Sequence, residues 1–386
     1  MIRVLVTVLY CFCVGPEGRA QEPSSSWKRA EEGWDYQFPR DEFPHPDFKT
    51  EWWYFTGNVV SEENPEKRFG YQLTFFRQGL RPPDDRSQTT SRWVPDHLWF
   101  AHFALSDLTG RDFHHAAKTS RGSFGECPPK DHHVEGPKSI VGHPLVWIED
   151  WSLTPVKEDL GHYRLLAKTP DFGIELLLHT EKPPVFHGAD GISPKAREPG
   201  HASHYYSLTR LATSGNVWFR KAKTTYAVKG NSWYDREWST SLLAQHQVGW
   251  DWISLHMDQG EELMLFQLRE EDGSPNFSSG TVVRADGTFQ PLHAEDVRLV
   301  PLRFWNVPGK NHQYPIAWKA VIQSPDLRAN LELGSPLANQ RLDFDPISYW
   351  EGSIQAEGTW NGMPAEGVGY LEMTGYEGAL PGLRLP

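Results

Sequence analysis

Cysteine is scarce. The 386 residues contain three, of which Cys11 and Cys13 lie in the first apolar stretch and Cys127 stands alone. An exported chain with one remaining cysteine forms no internal disulfide and no thiolate metal site. Methionine is nearly as rare, at five. Basic residues are outnumbered, 38 Lys and Arg against 50 Asp and Glu, for a formal charge of −12. That balance argues against a nucleic-acid partner, whose phosphates would call for clustered cations. Long apolar runs are missing after the run Val4 to Gly15, which Pro16-Glu17-Gly18-Arg19 ends well short of the roughly 20 residues a spanning helix needs. With Arg3 ahead of it, and Gly18 and Ala20 before Gln21, that run reads as a secretory signal peptide over 1–20. The mature chain is therefore expected to be periplasmic or secreted and not membrane-spanning. Also missing are a Gly-x-Ser-x-Gly elbow, a phosphate loop, a dinucleotide fingerprint and a His-Glu-x-x-His pair, so no cofactor is expected. The His114-His115, His132-His133 and His201-x-x-His204 clusters lack further ligands at a spacing that specifies a metal, and no metal site is expected.

Aromatic residues are abundant, with 17 Trp, 13 Tyr and 20 Phe, a load that a disordered chain would not carry. Residues 21–44 read as a leader, polar and Ser-rich over Gln21 to Glu32 and mobile there. Beyond residue 45, short alternating stretches are separated by Gly, Pro, Asn and Asp, the pattern of antiparallel strands. Phe69, Tyr71, Leu73 and Phe75 share one face of such a strand. Over Leu98 to Asp107, Trp99, Ala101, Phe103 and Leu105 face one way while Phe100, His102 and Ala104 face the other. Tyr163 to Thr180 reads as a hairpin around Thr169-Pro170-Asp171-Phe172-Gly173. Val185 to Gly200, rich in Pro and Gly, reads as a long loop between sub-structures or over a ligand mouth. Lys221 to Gly230 reads as the crossing between halves. The strand count suits two tandem β-barrels, at 45–222 and 223–386, each either filled or holding one ligand.

Three segments combine acids, histidines and aromatics: His45 to Gly57, Asp96 to Phe103, and Ser232 to Ser239 followed by Gly249 to His256. Alternation places Asp235 and Glu237 on one strand face and Tyr234, Arg236 and Trp238 on the other. A carboxyl held in a water-poor aromatic cavity is favoured in its neutral form, the more so beside a second carboxylate. Such a group serves as a general acid near neutral pH, and indole faces beside it stabilise a cation. Together these suit protonation of an electron-rich double bond followed by capture of water. Any single aromatic is better accounted for by core packing, and Glu51 and Glu237 are also accounted for by buried pairing with Lys49, Arg236 or the backbone. His97 and His102 lie five apart, so at most one points into a shared cavity.

On these segments, together with Ser203 to Leu211 and Gly249 to Arg269, the chain resembles the AttH and CrtC family from about His45 to Tyr376. That family comprises lipocalin-like proteins and includes the hydroxyneurosporene synthases, which are carotenoid hydratases. The resemblance implies an all-β fold of two lipocalin-like (calycin-type) antiparallel barrels with an apolar cavity and ligand contacts near the domain junction. It also implies a proton donor at the acid of Trp233-Tyr234-Asp235-Arg236-Glu237-Trp238. The sequences Asp235-Arg236-Glu237-Trp238 and Glu51-Trp52-Trp53-Tyr54 look closer to the exported AttH-like branch, labelled predicted secreted hydrolases and associated with ABC export systems. Two functions follow as expectations. One is an exported carrier of an apolar or lipid-like molecule, working with an ABC transporter. The other is a cofactor-independent hydratase, or a hydrolase, with Asp235, Glu237 and His97 as catalytic candidates. Trp53, Tyr54, His102, Tyr205, Trp233, Tyr234, Trp238, Trp250, Trp252 and His256 are the ligand-binding candidates.

Overall fold

The computed structural model describes residues 26–86, 94–122, 139–344 and 347–378. The expected signal peptide, Cys11, Cys13, Cys127, His132 and His133 lie outside the described residues. Twelve strands form the first sheet: β1 Thr50–Ser61, β2 Arg68–Gly79, β3 His97–Asp107, β4 Asp112–Ser120, β5 Val146–Ile148, β6 Trp151–Pro155, β7 His162–Lys168, β8 Phe172–Thr180, β9 Val185–Phe186, β10 Ile192–Pro194, β11 Ala202–Phe219 and β12 Thr224–Ser241. Ten form the second: β13 Gln247–Met257, β14 Glu262–Glu270, β15 Pro275–Val283, β16 Phe289–Leu292, β17 Val297–Asn306, β18 Gln313–Gln323, β19 Arg328–Gly334, β20 Arg341–Phe344, β21 Ile347–Trp360 and β22 Met363–Met373. All strand pairings are antiparallel. The first sheet runs β4-β3-β2-β1-β12-β11-β8-β7-β6-β5 and curls until β4 and β5 meet; the second runs β16-β15-β14-β13-β22-β21-β19-β18-β17. No helix among the described residues is long and apolar enough to cross a membrane.

Each sheet curls around its own filled core. Trp53, Phe55, Tyr71, Leu73, Phe75, Phe103, Tyr234 and Trp238 belong to the first, with Ile253, Leu265, Trp318, Leu331, Trp350 and Leu371 in the second. Neither interior is the ligand chamber that the sequence left open for a barrel. The space lies instead between the barrels, where the outer face of β3-β2-β1-β12-β11 meets the outer face of β14-β13-β22-β21. Strands of the first sheet at this seam are buried on both faces, so aromatic residues alternate without a polar side.

Two expectations about chain organisation are corrected. Residues Lys221 to Gly230 do not cross between halves: they close the β11–β12 hairpin, and β12 pairs with both β1 and β11. The sheets change between Ser241 and Gln247 rather than at 222/223, because β12 is buried along its second half and pairs there with both β1 and β11. The leader is no loose tail either. Residues from Trp27 cross the open end of the first barrel, and the turn Arg40–Glu42 drives Glu42 into the core. There its carboxylate accepts the Tyr163, Tyr206 and Tyr234 hydroxyls, while its backbone oxygen accepts the Trp53 indole N–H at 2.8 Å. Polar composition hid this strap, because its buried groups are a carboxylate and hydrogen-bonding rings.

Candidate active site

The cleft between the barrels encloses a cavity of about 290 Å³. On one side it crosses five neighbouring strands, β3 to β11, which at about 4.8 Å per strand makes it roughly 19 Å long. The residues along it are graded. At the β3 and β2 end stand Leu98, Phe100, His102 and Phe76, faced by Ile347 and Tyr349. Trp52 and Tyr54 on β1 hold the middle, faced by Trp250, Trp252 and Glu372. The β12 and β11 end carries Asp235, Glu237 and Tyr205, faced by Phe266 and Leu268 and closed by Lys195. One end is therefore apolar and the other holds the charge.

Asp235 is 3% exposed. Its Oδ1 accepts the Trp233 indole N–H at 2.6 Å and the Ser207 hydroxyl, and its Oδ2 accepts the Tyr205 hydroxyl at 2.7 Å. Cross-strand register produces this set, since Ser207 is the β11 partner of Asp235 and Trp233 lies two residues back on the same face of β12. Trp252 in turn donates its indole N–H to the Tyr205 oxygen at 3.2 Å, which orients that hydroxyl toward the carboxyl. Of the four lone-pair sites of a carboxylate, three are filled, and the vacant one is on Oδ2. Burial pushes the Asp235 carboxyl up to about 7, against the pull of its three donors and with a smaller push from the Glu237 charge.

Two other carboxyls share the cavity. Glu237 pairs with Lys195 Nζ at 2.8 Å and accepts the Ser203 hydroxyl; the lysine stem packs on the rings of Phe266 and Tyr205, with its nitrogen 4.5 and 4.9 Å from their centres. Glu372 pairs with no cation among the described residues. Burial pushes it up to about 8, opposed by a hydrogen bond from Trp250 and reinforced by Asp235, Glu237 and Asp251. Behind it, buried Glu351 accepts the Tyr54 hydroxyl at 2.9 Å and is held well above the usual carboxylate range by burial and by Glu372. At the apolar end, His102 Nδ1 meets the Tyr349 hydroxyl at 2.7 Å, and burial holds the imidazole neutral, down at about 3. The cleft thus presents two protonatable carboxyls against aromatic walls. Among the described residues, no group of three or more His, Cys, Asp or Glu is placed to hold a metal.

The structure brings Asp235, Glu237, Tyr54, His102, Tyr205, Trp250 and Trp252 together in the cleft. Trp233 stands behind the wall and acts on the cavity through its bond to Asp235. Five expected residues fall elsewhere. Trp53, Tyr234 and Trp238 point into the first barrel, being the odd or even partners of cleft residues on strands with two apolar faces. Trp53 and Trp238 flank the Arg236 guanidinium there, and Tyr234 stacks on Phe55 at 4.3 Å. His97 is turned away from His102 as the strand pleat requires, and its Nδ1 meets Arg77 at 3.1 Å. Burial and the Arg77 charge hold it neutral, at about 3, so no proton or water in the cleft is within its reach. His256 also misses the cavity; its Nε2 donates to the Thr209 carbonyl at 2.7 Å at another point of the barrel junction. Sequence reasoning missed Glu372, Lys195, Glu351 and Tyr349. Glu372 had a readable signal: in Gly367 to Met373 it is the lone acid among apolar residues and alternates with Leu371 and Met373.

The raised Asp235 carboxyl has a stability consequence. A folded-state pKa of about 7, against an ordinary value of 3.8, means the folded protein keeps a proton that the unfolded chain has lost, so the contribution of Asp235 to stability is full below about pH 4 and drains as pH rises toward 7. The drain is about 1.4 kcal/mol per pH unit. Buried neutral His102, His187 and His256 titrate in the opposite sense over part of this range, so the effect is isolated as a difference. The Asp235→Asn variant is expected to gain on wild type steadily from pH 4 to 7, by urea unfolding, and to stop gaining above 7. Parallel curves for the two proteins would contradict a neutral Asp235.

The AttH-like family matches residues 29–376. An AttH protein of Nitrosomonas europaea, solved by crystallography, superposes with a TM-score of 0.76 at 31% identity, over 90% of this chain and 99% of that one. The crystal structure of kievitone hydratase from Nectria haematococca superposes with a TM-score of 0.66 at 15% identity, over 91% of this chain and 96% of that one, a likeness of fold. By sequence, kievitone hydratase of Fusarium solani subsp. phaseoli is 21% identical over 182 residues, 44% of this chain and 49% of its own length. The chain spans about half the length of the curated relatives it matches.

Proposed function

Because the chain belongs to the AttH-like family, which the match over residues 29–376 establishes, we propose that its inter-barrel cleft is the active site of a cofactor-independent hydratase acting on an elongated, largely apolar alkene. The observation that carries this reading is the state of Asp235: a buried carboxyl, raised to about 7, whose one vacant lone pair is on Oδ2 at an apolar cavity. A kievitone hydratase among the relatives supports the reaction class.

The chemistry balances without a cofactor. Asp235 transfers its proton from Oδ2 to one alkene carbon, the π pair forms the new C–H bond, and the neighbouring carbon becomes cationic. Ring faces of Trp252, Trp250 and Tyr54 stabilise that cation through their quadrupoles, and the apolar walls keep out all but a few waters. One water adds to the cation and gives its extra proton to the newly ionised Asp235, which restores the acid, while Glu372, held up to about 8 by burial, stays protonated and offers its carbonyl oxygen to that water. The three donors on Asp235, fixed before reaction, stabilise the charge that appears there at proton transfer.

The test is incubation with elongated alkenes in D2O and in 18O-water, read by NMR and mass spectrometry. The expected product carries one new C–D bond and one labelled hydroxyl per turnover. Tight binding of the alkenes with neither label incorporated would replace this reading with the carrier one, which the apolar end at Phe76, Leu98 and Phe100 also suits. Export and handover to an ABC transporter belong to that carrier reading and are tested by locating the protein in its cell and by co-purification.

A further inference from the structure

His187 lies outside the cavity, yet it is tied to the acid. It is 1% exposed, between the two barrels. Its Nε2 meets the Ser207 hydroxyl at 2.6 Å and its Nδ1 meets the Thr281 hydroxyl of β15 at 2.8 Å, while Ser207 donates to Asp235 Oδ1. The ring also packs on Tyr205, 4.2 Å between centres, the residue that holds the other oxygen of the carboxyl. Backbone geometry places it: Gly188 adopts a left-handed φ of +73°, and a side chain there would lie 1.9 Å from the Ile192 carbonyl oxygen. Only glycine makes this turn, which doubles the chain back immediately after His187.

Hydrogen counting fixes the direction of the chain. Ser207 has one hydroxyl hydrogen. If it is given to Asp235, Ser207 must accept from His187, so Nε2 carries the imidazole hydrogen and Nδ1 accepts from Thr281. In the opposite polarity Ser207 donates to Nε2 and turns a lone pair on Oδ1, which is tolerable only when the acid's proton sits on Oδ1, facing away from the alkene. Burial keeps the imidazole neutral, down at about 3, so it always has one donor and one acceptor nitrogen.

We propose that His187 is a positioning residue: through Ser207 it holds the hydrogen-bond polarity that leaves the transferable proton of Asp235 on Oδ2, facing the cleft. The inference rests on the reading of Asp235 as the acid. Because Thr281 belongs to the second barrel, the setting of an acid in the first depends on how the two barrels dock.

The experiment titrates the Asp235 carboxyl by infrared spectroscopy in the whole protein without substrate, identifying its C=O band by its absence in Asp235→Asn. His187→Leu is expected to raise the midpoint by about one pH unit, a tenfold gain in proton affinity, since the Ser207 hydroxyl is no longer obliged to donate to the carboxylate and is free to turn away from it. His187→Gln, whose amide N–H reaches Ser207, is expected to restore it. Ser207→Ala gives the same shift, and His187→Leu adds nothing in the Ser207→Ala background, as residues in one chain are non-additive. Glu237 with Lys195, Glu372 and Tyr205 face the same carboxyl and are common to all these variants. With an alkene that turns over, His187→Leu is expected to lower kcat about tenfold with KM unchanged, and His187→Gln to recover it. A wild-type midpoint in His187→Leu overturns the proposal, whatever Ser207→Ala does, as does a further shift from His187→Leu in the Ser207→Ala protein. If His187→Leu does not fold, Thr281→Val reads the chain from its far end, where an unchanged midpoint is equally fatal. Turnover retained by Asp235→Asn would instead sink the hydratase reading, leaving the infrared result intact.

Discussion

Asp235→Asn is expected to lower alkene hydration by about 10³-fold, the range for removing a positioned general acid, with the fold intact. The substitution is nearly isosteric. Asparagine's oxygen still accepts from Trp233 and Ser207, and its amide nitrogen takes the place of Oδ2, where the Tyr205 hydroxyl can turn to accept. What disappears is the transferable proton and the negative charge that follows its departure. Binding of the apolar substrate body depends on Phe76, Leu98, Phe100, Phe266 and Leu268, so KM is expected to stay within a few-fold of wild type. The same variant is the more stable protein at neutral pH, because it no longer holds a carboxyl away from water. A loss of rate joined to a gain of stability is the signature of a residue kept for chemistry. Loss of both would mark Asp235 as a structural group, and full turnover in Asp235→Asn would remove it from the mechanism. Glu372→Gln separates the second carboxyl: the neutral amide still accepts from water as the protonated acid does, so turnover is expected to stay within a few-fold of wild type, and a large loss would show that Glu372 itself takes the proton.

Much of this site was legible because strand periodicity is local. The pleat alone puts 233, 235 and 237 on one side of β12 and 234, 236 and 238 on the other, and it separates His97 from His102. What the pleat does not say is which side is the barrel interior. For an ordinary sandwich one face would be polar, but β1, β11 and β12 are buried on both, the inner against their own core and the outer against the second barrel. Trp53 and Tyr54 are therefore equivalent in sequence and opposite in role, and Trp233 and Tyr234 likewise. Long-range pairing was also invisible: Glu51 was weighed against Lys49, its near neighbour, whereas the structure gives it Arg77 and Arg236 from strands on either side. Glu372 reaches the site from β22, and Lys195 and His187 from the Pro- and Gly-rich stretch Val185 to Gly200, whose place over a ligand was readable but whose contacts with β11 and β12 were not, since no spacing rule joins these segments.

Glu51→Ala is expected to destabilise the first barrel by about 3 to 5 kcal/mol, the cost of stripping one partner from a buried ion network. Glu51 is fully buried, contacts Arg236 at 2.6 Å and also Arg77, and accepts the His45 backbone N–H at 2.9 and 3.0 Å. Both guanidiniums are buried too. Arg236 lies 3.8 Å from the ring centre of Trp53 and donates to the Phe43 carbonyl; Arg77 donates to the carbonyls of His45 and Phe48. Removing the carboxylate thus strips both cations of the one carboxylate they contact directly, and those same cations hold the strap that seals the barrel. Two readouts follow: a fall in urea midpoint, and early proteolysis within residues 26–48. The network also fixes an acid limit. The two arginines hold Glu51 well below the usual carboxylate range, so its contribution is complete above its unfolded pKa near 4.3 and is lost as pH falls through the depressed folded value. Wild type should therefore lose stability steeply below pH 4 and Glu51→Ala less so, the two curves converging in acid. A variant that unfolds at the wild-type urea concentration at pH 7 would show that Arg77 and Arg236 are held by backbone carbonyls and indole faces alone. Replacing Glu51, Arg77 and Arg236 together by apolar residues of similar volume tests the same point from the other side: with none of the three charges left to strand another, much of the loss is expected to return.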